Sequence, residues 1–233
     1  MTWIEDRLRN PFVAGIAIAG VGALAYFGVR WIHAAGRLRL PAGVAAPRQT
    51  VVPFADLAGQ PVWPIATNDS RKGQVAYTDE SGEIHGNGAR RFHAARDDGR
   101  WHNGVDLYSN AGDPVLAIAD GTVVAAQTFH LGTDAILVEH DGMVALYGEV
   151  EPGSWKEFGV KVGARVAQGD PIARIGCMVG TMADCDSHML HFEAYAPGTR
   201  QNKQWYGSSS PPPALRDPTL VLLAAAGSGA NVA

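Results

Sequence analysis

The chain has 233 residues, of which 46% are hydrophobic and 18% are charged, and its formal net charge is −4. This length suits one ordinary domain with an appendage, or two small domains. The apolar fraction argues against a disordered, collagen-like or coiled-coil chain. The excess of acidic residues, 23 against 19 basic ones, argues against nucleic-acid binding. With only two cysteines, any metal site must use histidine and carboxylate ligands.

The N-terminal segment contains a long apolar run. No residue from 10 to 29 is charged, and this length is enough to cross a bilayer. Trp3 and Trp31 flank the run, as aromatic residues do at membrane interfaces. A buried core helix or a cleaved signal peptide is the alternative, but the apolar part of a signal peptide is usually about 7 to 15 residues long. We predict a membrane anchor over residues 1–39.

The next segment and the end of the chain have the composition of linkers. Residues 40–75 are rich in Pro, Ala and Gly, and proline prevents long helices, so we expect an extended linker. Residues 217–225 fit a short edge strand or a helix. The Gly- and Ala-rich residues 223–233 are expected to form a flexible tail.

Residues 76–222 have the pattern of one β-rich domain. Short apolar and β-branched runs alternate with glycine-containing turns. Runs of this length, separated so often by turns, are typical of antiparallel sheets. We therefore predict a mainly β, antiparallel domain with strands near residues 115–118, 122–125, 135–139, 144–147, 160–162, 171–175 and 189–195.

Two distant segments contain candidate metal ligands. His102 and Asp106 are four residues apart, with Gly104 between them, and His191 comes far downstream in a strand-like stretch. Catalytic zinc sites use a few histidine nitrogens and a carboxylate oxygen and leave one position open. A His/Asp/His set would supply such a site. Spacing alone leaves an alternative, in which these residues cap turns and face solvent.

Seven segments together resemble one family in their order and spacing, namely residues 91–93, 100–106, 112–115, 119–123, 138–142, 162–169 and 191–193. They are similar to the M23 family of LytM- or lysostaphin-like zinc peptidases, over about residues 85–200. The resemblance implies a β-rich groove that binds one zinc ion. It also implies hydrolysis of peptide cross-links in peptidoglycan. His102, Asp106 and His191 match the three zinc ligands of the family.

The chain departs from the family at both catalytic histidines. Glu149 stands where the family has the histidine of Tyr-x-His, and Met189 stands where it has the first histidine of His-x-His. Residues two apart on a strand share a face, so Met189 should face the metal beside His191 and His188 should not, unless a bulge or loop intervenes. A thioether neither accepts the proton usefully nor donates a hydrogen bond. Glu149 and His188 are therefore the candidate catalytic residues.

Three functions remain open at this stage. The first is a membrane-anchored zinc metalloendopeptidase that cuts peptidoglycan cross-links. The second is a catalytically inactive relative that binds peptidoglycan or activates a partner hydrolase, because both catalytic positions lack histidine. The third is a biotinyl or lipoyl carrier, since residues 162–169 resemble a turn of that fold, but a lysine in a suitable hairpin is missing. The first is our prediction.

The location follows from the resemblance and from the cysteines. Three arginines follow the apolar run and two precede it, which by the positive-inside rule favours a cytoplasmic domain. The family and the nearby pair Cys177 and Cys185 favour the opposite orientation. These cysteines would form a disulfide in an oxidising compartment and stay free thiols in a reducing one. We expect the disulfide, and a single-pass protein of the bacterial inner membrane whose C-terminal domain lies in the periplasm or outside the cell.

Overall fold

The structure is a computed structural model that describes residues 59–207 and 209–228. These residues all fall within one compact unit, Leu40–Ala233. The predicted anchor, residues 1–39 with its span at 10–29, lies outside the described residues. Within the two described ranges, no helix has the length and apolar character needed to cross a membrane.

The described domain consists mainly of strands. In chain order they are β1 (Tyr77–Thr78), β2 (Ile84–His85), β3 (Arg100–Trp101), β4 (Val105–Leu107), β5 (Pro114–Leu116), β6 (Gly121–Thr128), β7 (Asp134–His140), β8 (Met143–Val150), β9 (Arg165–Val166), β10 (Pro171–Arg174), β11 (Val179–Thr181), β12 (Asp184–Ser187), β13 (Leu190–Tyr195), β14 (Trp205–Tyr206) and β15 (Leu215–Arg216). The helices are α1 (Thr219–Ser228) and three 3-10 turns, Gly88–Arg90, His130–Gly132 and Ser154–Phe158.

A seven-stranded sheet forms the centre of the domain. Its strand order is β15-β13-β8-β7-β6-β9, and β4 also pairs with β13. All of its pairs are antiparallel, which confirms the predicted fold class of a mainly β, antiparallel domain. Every residue of β8 is buried. The sheet is therefore covered on both faces, which explains why residues 143–147 of β8 are a continuous apolar run rather than an alternating one.

Part of the predicted linker packs into the core and lies beside β5, which pairs with β10 in a separate two-stranded sheet. Trp63 and Ile65 are buried in the hydrophobic core. The backbone N–H of Val62 donates to the carbonyl of Ile118, and that of Leu116 donates to the carbonyl of Pro64. Residues 59–75 thus differ from the expected free linker. The free energy gained by burying their apolar side chains exceeds the conformational entropy that an unattached chain would keep. The domain boundaries at 76 and 222 remain predictions.

The end of the described chain is a helix. Of the two alternatives for residues 217–225, the structure has the helix, α1, whose first turn is capped by the Asp217 carboxylate accepting the N–H of Thr219 at 2.9 Å. Val221, Leu222 and Ala225 are buried in the core. Residues 223–228, expected as the start of a flexible tail, belong to this helix because alanine favours helices and packs here.

The segment at 160–162 and the cysteine pair were both predicted from sequence. Residues 160–162 were expected as a strand, but they lead into a turn. The N–H of Ala164 donates to the carbonyl of Lys161 at 2.9 Å and closes this turn, and the strand β9 follows it. Cys177 and Cys185 form the expected disulfide. The disulfide links the two sides of the β11–β12 hairpin, which leads directly into β13.

Candidate metal centre and cleft

The strand β13 places its side chains between two partner strands. His191 lies opposite Asp106 of β4 on one side and opposite Gly148 of β8 on the other. The approach of β4 depends on Gly104, where a Cβ atom would overlap the backbone carbonyl of Phe192. The glycine between the two predicted ligands is thus required for their segment to reach β13.

The three predicted ligands meet in a small triangle. Nε2 of His102 lies 2.9 Å from Oδ1 of Asp106 and 3.1 Å from Nδ1 of His191. The third edge, from Nδ1 of His191 to Oδ1 of Asp106, is 2.9 Å. All three side chains are buried. The structure therefore brings together residues that are 89 positions apart in the sequence.

The outer atoms of these side chains have partners of their own. Nδ1–H of His102 donates to the carbonyl of Arg91 at 2.7 Å, and Nε2–H of His191 donates to Oε1 of Glu193 at 2.9 Å. We assign the tautomers from these acceptors. Oδ2 of Asp106 accepts a hydrogen bond from Arg96 at 3.0 Å. When both imidazoles are neutral, as metal ligands are, the inner nitrogen of each and the inner carboxylate oxygen all present lone pairs to one point.

This arrangement fits a divalent cation. Three lone pairs that converge at these distances repel one another unless a cation or a proton lies among them. Tetrahedral zinc has ligand atoms at about 2.0–2.2 Å, and two histidines and a carboxylate are a known catalytic donor set. Hydrogen bonds that orient metal-binding histidines through their outer nitrogens are also typical of such sites. The residues present thus fit a metal centre with one side open to the cleft.

The electrostatics of the triangle lead to the same conclusion. Burial alone would lower the pKa of His191, but the hydrogen bonds and negative charges of Asp106 and Glu193 raise it to about 10. Burial lowers the pKa of His102, and Asp106 opposes that effect. In the absence of a metal, a proton held between His191 and Asp106 therefore takes the place of the cation.

The triangle forms part of the lining of an open cleft with a volume of about 600 Å³. The other lining side chains include Trp101 and Trp205, and the tip of the β6–β7 hairpin. Both tryptophans have tilted or stacked contacts with the His93 ring, at 4.5 Å between centroids. A cleft of this size admits a short peptide segment.

Glu149 reaches the cleft through a β-bulge. Asp134 of β7 pairs with Val150 and Ala135 pairs with Gly148, so Glu149 is the extra residue between them. Its φ is +64°, a left-handed value that is uncommon for a side chain other than glycine. Bulges beside functional sites redirect side chains in this way. Strict alternation would have placed Glu149 on the face of Tyr147, away from His191.

Burial dominates the chemistry of Glu149. The residue is 6% exposed, and its Oε2 atom has no hydrogen-bond partner among the described residues. Burial raises the pKa of this carboxyl to about 8, while the charge of His191 opposes the shift. A carboxyl with this pKa can exchange a proton near neutral pH, which is the property that a general acid or base needs.

Met189 and His188 lie on the sides that strand alternation predicts, although both precede the first residue of β13. Met189 lines the cleft with His191, and its sulfur lies 3.8 Å from the Arg90 guanidinium. His188 is absent from the described lining of the cleft. Its Nδ1–H donates to the carbonyl of Ser109 at 2.6 Å. Of the two candidate catalytic residues, the structure therefore places Glu149 at the ligand triangle and His188 away from it.

Three residues at the site were missed by the sequence reasoning. Glu193 could have been found, because it lies two residues after His191 and strand alternation puts both on one face. Arg96 and His130 lie in loops, where side-chain directions do not follow the alternation of a strand. Their positions beside Asp106 and in the cleft depend on the tertiary fold.

Part of the chain is similar to known proteins. Residues 100–203 match the model of peptidase family M23. The catalytic domain of the antimicrobial peptidase lysostaphin from Staphylococcus simulans is 27% identical, with a TM-score of 0.38, over 52% of this chain and 79% of that one. A mutant catalytic domain of the prophage-encoded M23 protein EnpA from Enterococcus faecalis is 21% identical, with a TM-score of 0.36, over 48% and 79%.

A third solved structure, cbpa from L. salivarius REN, is 20% identical, with a TM-score of 0.41, over 67% of this chain and 99% of that one. No curated protein matches the chain. The family match covers both segments that supply the ligand triangle, and it includes the divergent positions Glu149 and Met189. Residues 100–203 of the chain are therefore similar to peptidase family M23, as the motifs predict.

Proposed function

We propose that this protein is a zinc metalloendopeptidase that hydrolyses the peptide cross-links of bacterial peptidoglycan. The observation that carries the proposal is the ligand triangle of His102, Asp106 and His191 at the cleft. Three protein ligands with one open side are the arrangement of a catalytic zinc site rather than a structural one. The family supplies the peptidase activity, and peptidoglycan is the substrate class that the resemblance implies.

Different side chains would hold the zinc ion and accept a proton in the proposed hydrolysis. Nε2 of His102, Oδ1 of Asp106 and Nδ1 of His191 would hold the zinc ion. When bound, the ion would lower the pKa of a water molecule and polarise the scissile carbonyl. Glu149 would accept the proton of that water. Its pKa of about 8 belongs to the metal-free site, and a neighbouring positive charge would lower it, so the carboxylate form would be available at neutral pH.

The proposed location rests on the disulfide and on the N-terminal apolar run. The Cys177–Cys185 disulfide supports an oxidising compartment, since cytosolic thiols are kept reduced. We propose that residues 10–29 span the inner membrane once and that the domain faces the periplasm or the cell exterior. A reporter enzyme fused after residue 40, active only outside the cytoplasm, tests this orientation, and an inactive reporter would contradict it.

Digestion of sacculi tests the activity. The full chain, loaded with one equivalent of zinc in detergent, is incubated with isolated peptidoglycan sacculi, and the released fragments are identified by mass spectrometry. We expect new peptide termini and no cleaved glycosidic bonds. His102→Ala should abolish release and zinc retention. Asp79→Asn is the matched control, because Asp79 and His85 form a similar carboxylate–imidazole pair, at 2.9 Å, outside the described lining of the cleft.

A second candidate function is a binding module. Neither Glu149 nor Met189 offers an imidazole, and a charged carboxylate would repel the oxyanion that forms during hydrolysis. This observation favours an inactive domain that holds peptidoglycan or activates a partner hydrolase. Tight binding to sacculi without any release would favour this second function. Loss of zinc on dialysis would contradict the metal site in both.

A further inference from the structure

The cleft contains an imidazole that has no part in the ligand triangle. Three described histidines line the cleft, and two of them are the predicted ligands. The third, His130, lies in the short turn between β6 and β7. Its side chain is exposed, and neither of its ring nitrogens has a hydrogen-bond partner among the described residues. Both nitrogens are therefore free to contact a bound substrate.

The turn that presents His130 is held by its own hydrogen bonds. The N–H of Phe129 donates to the carbonyl of Thr133 at 2.7 Å. The N–H and the hydroxyl of Thr133 both donate to the carbonyl of His130, at 3.0 and 2.6 Å. Thr133 is buried. The backbone at His130 is thus fixed at both ends of the turn.

Phe129, the residue before His130, packs the turn against the candidate metal site. The Phe129 ring lies 5.5 Å from the His191 ring, centroid to centroid. Phe129 can lie so close because residue 148 is glycine, and a Cβ there would come within 2.8 Å of the Phe129 ring. Gly148 is also the residue paired with His191 in the sheet. The hairpin tip is therefore anchored beside the ligand triangle, one residue away from His130.

The protonation state of the His130 ring allows it to donate a hydrogen bond. Although the side chain is exposed, the loss of some water around the ring and the positive charge of Arg100 lower its pKa, so the ring is neutral at neutral pH. A neutral imidazole carries one N–H donor and one acceptor. A neutral donor can stabilise a developing oxyanion without first losing or gaining a proton.

We propose that His130 is a catalytic residue whose N–H donates a hydrogen bond to the carbonyl oxygen of the scissile peptide bond. This inference rests on the proposed function. It identifies a donor for the role that Met189 cannot fill, and that Glu149 cannot fill while it acts as the base. His130 forms and breaks no covalent bond. The water oxygen bonds to the carbonyl carbon as the carbonyl π bond opens onto the oxygen that His130 contacts, and Glu149 receives the proton of that water. The C–N bond then breaks as the C=O bond re-forms, and Glu149 returns the proton to the departing amine nitrogen.

Three variants of the full chain test the role of His130 with zinc loaded to one equivalent. His130→Ala removes the imidazole, His130→Gln keeps an N–H donor, and His85→Gln is the control because His85 lies in β2, outside the described lining of the cleft. The measurements are zinc content, the midpoint of urea unfolding, and the rate of peptide release from sacculi. Added imidazole is tested for rescue of His130→Ala.

The proposal predicts a selective effect. His130→Ala should lower kcat by about 100-fold, the usual effect of losing one oxyanion donor, with zinc content unchanged. His130→Gln should retain part of the rate, His85→Gln all of it, and imidazole should restore part of the His130→Ala rate. An active wild type with His130→Ala within twofold of it overturns the role of His130 alone, as does loss of zinc from that variant. An inactive wild type overturns the proposed function and this inference together.

Discussion

The buried carboxyl of Glu149 makes the stability of the metal-free protein depend on pH in a specific way. Its pKa is about 8 in the folded protein against an ordinary value of 4.5, so the folded state binds the proton more tightly than the unfolded state does. The stabilising contribution is therefore complete below pH 4.5 and is lost as the pH rises through 8. Replacing Glu149 with Gln removes this dependence.

The size of the effect follows from the shift in pKa. Each unit is worth about 1.4 kcal/mol, so the full shift corresponds to about 5 kcal/mol between acidic pH and pH 8 and above. This is an upper value, but it is comparable with the whole free energy of unfolding of a marginally stable domain, about 5–15 kcal/mol. The Glu149→Gln change also alters packing and hydrogen bonding, but by an amount that does not vary with pH.

The measurement is urea unfolding of the full chain and of Glu149→Gln at pH 5, 6, 7 and 8 with a metal chelator. The quantity of interest is the difference between the two free energies of unfolding at each pH. We expect the wild type to lose stability relative to Glu149→Gln by about 1 kcal/mol for each unit of pH above 5. A difference that stays constant from pH 5 to pH 8 would show that Glu149 titrates normally, and the case for a buried, uncharged carboxyl would fail.

Three further predictions concern the metal site and the divergent catalytic position. Glu193→Gln removes the negative charge of the acceptor that orients the outer nitrogen of His191, and it should weaken zinc affinity by about 10- to 100-fold in a chelator competition. Gly104→Ala would drive a Cβ into the Phe192 carbonyl, so it should lower the free energy of unfolding by more than about 2 kcal/mol and abolish zinc retention. Met189→His places an imidazole in the cleft and should raise the rate of peptide release from sacculi by about 100-fold.

Each of these variants has a matched control. Glu139→Gln changes a carboxylate that accepts from Arg200 at 3.1 Å outside the cleft, and zinc affinity should not change. Gly227→Ala adds a Cβ that meets no atom within 4 Å, and stability should not fall. Met182→His lies in the β11–β12 turn and should not raise the rate. Equal effects in a variant and its control would contradict the corresponding prediction.

The three candidate metal ligands could be predicted from sequence because their segments resemble those of the M23 family, whereas their spacing alone left another interpretation open. The spacing of His102 and Asp106 around a glycine, and the alternation along β13, depend on short stretches of backbone. The same alternation predicted that Met189 faces the cleft and that His188 turns away, as the structure has it. Catalytic roles for Glu149 and His188 remain predictions, although only the first of them lies at the cleft.

The proline-rich residues 59–75 show where composition fails. Proline favours an extended backbone whether the segment is a free linker or a strand-like edge packed on a sheet. Burial of Trp63 and Ile65 decides between the two, and burial depends on which surface the rest of the fold offers. The helix α1 is a similar case, because its apolar residues fit either a helix or a strand until a core is available to receive them.

The amino-acid sequence by itself predicted the mainly β fold class, the similarity to peptidase family M23 and the three candidate metal ligands, because motifs and strand periodicity act over a few residues. Only the tertiary structure decided that Glu149 enters the cleft, since a bulge is defined by how many residues of β8 oppose the residues of β7. It also decided that His130 lines the same cleft as the ligand triangle, because that position depends on the packing of Phe129 against Gly148 and His191. Contacts between distant segments depend on the free energy of the whole packed domain. A local sequence pattern therefore does not predict which distant residues meet.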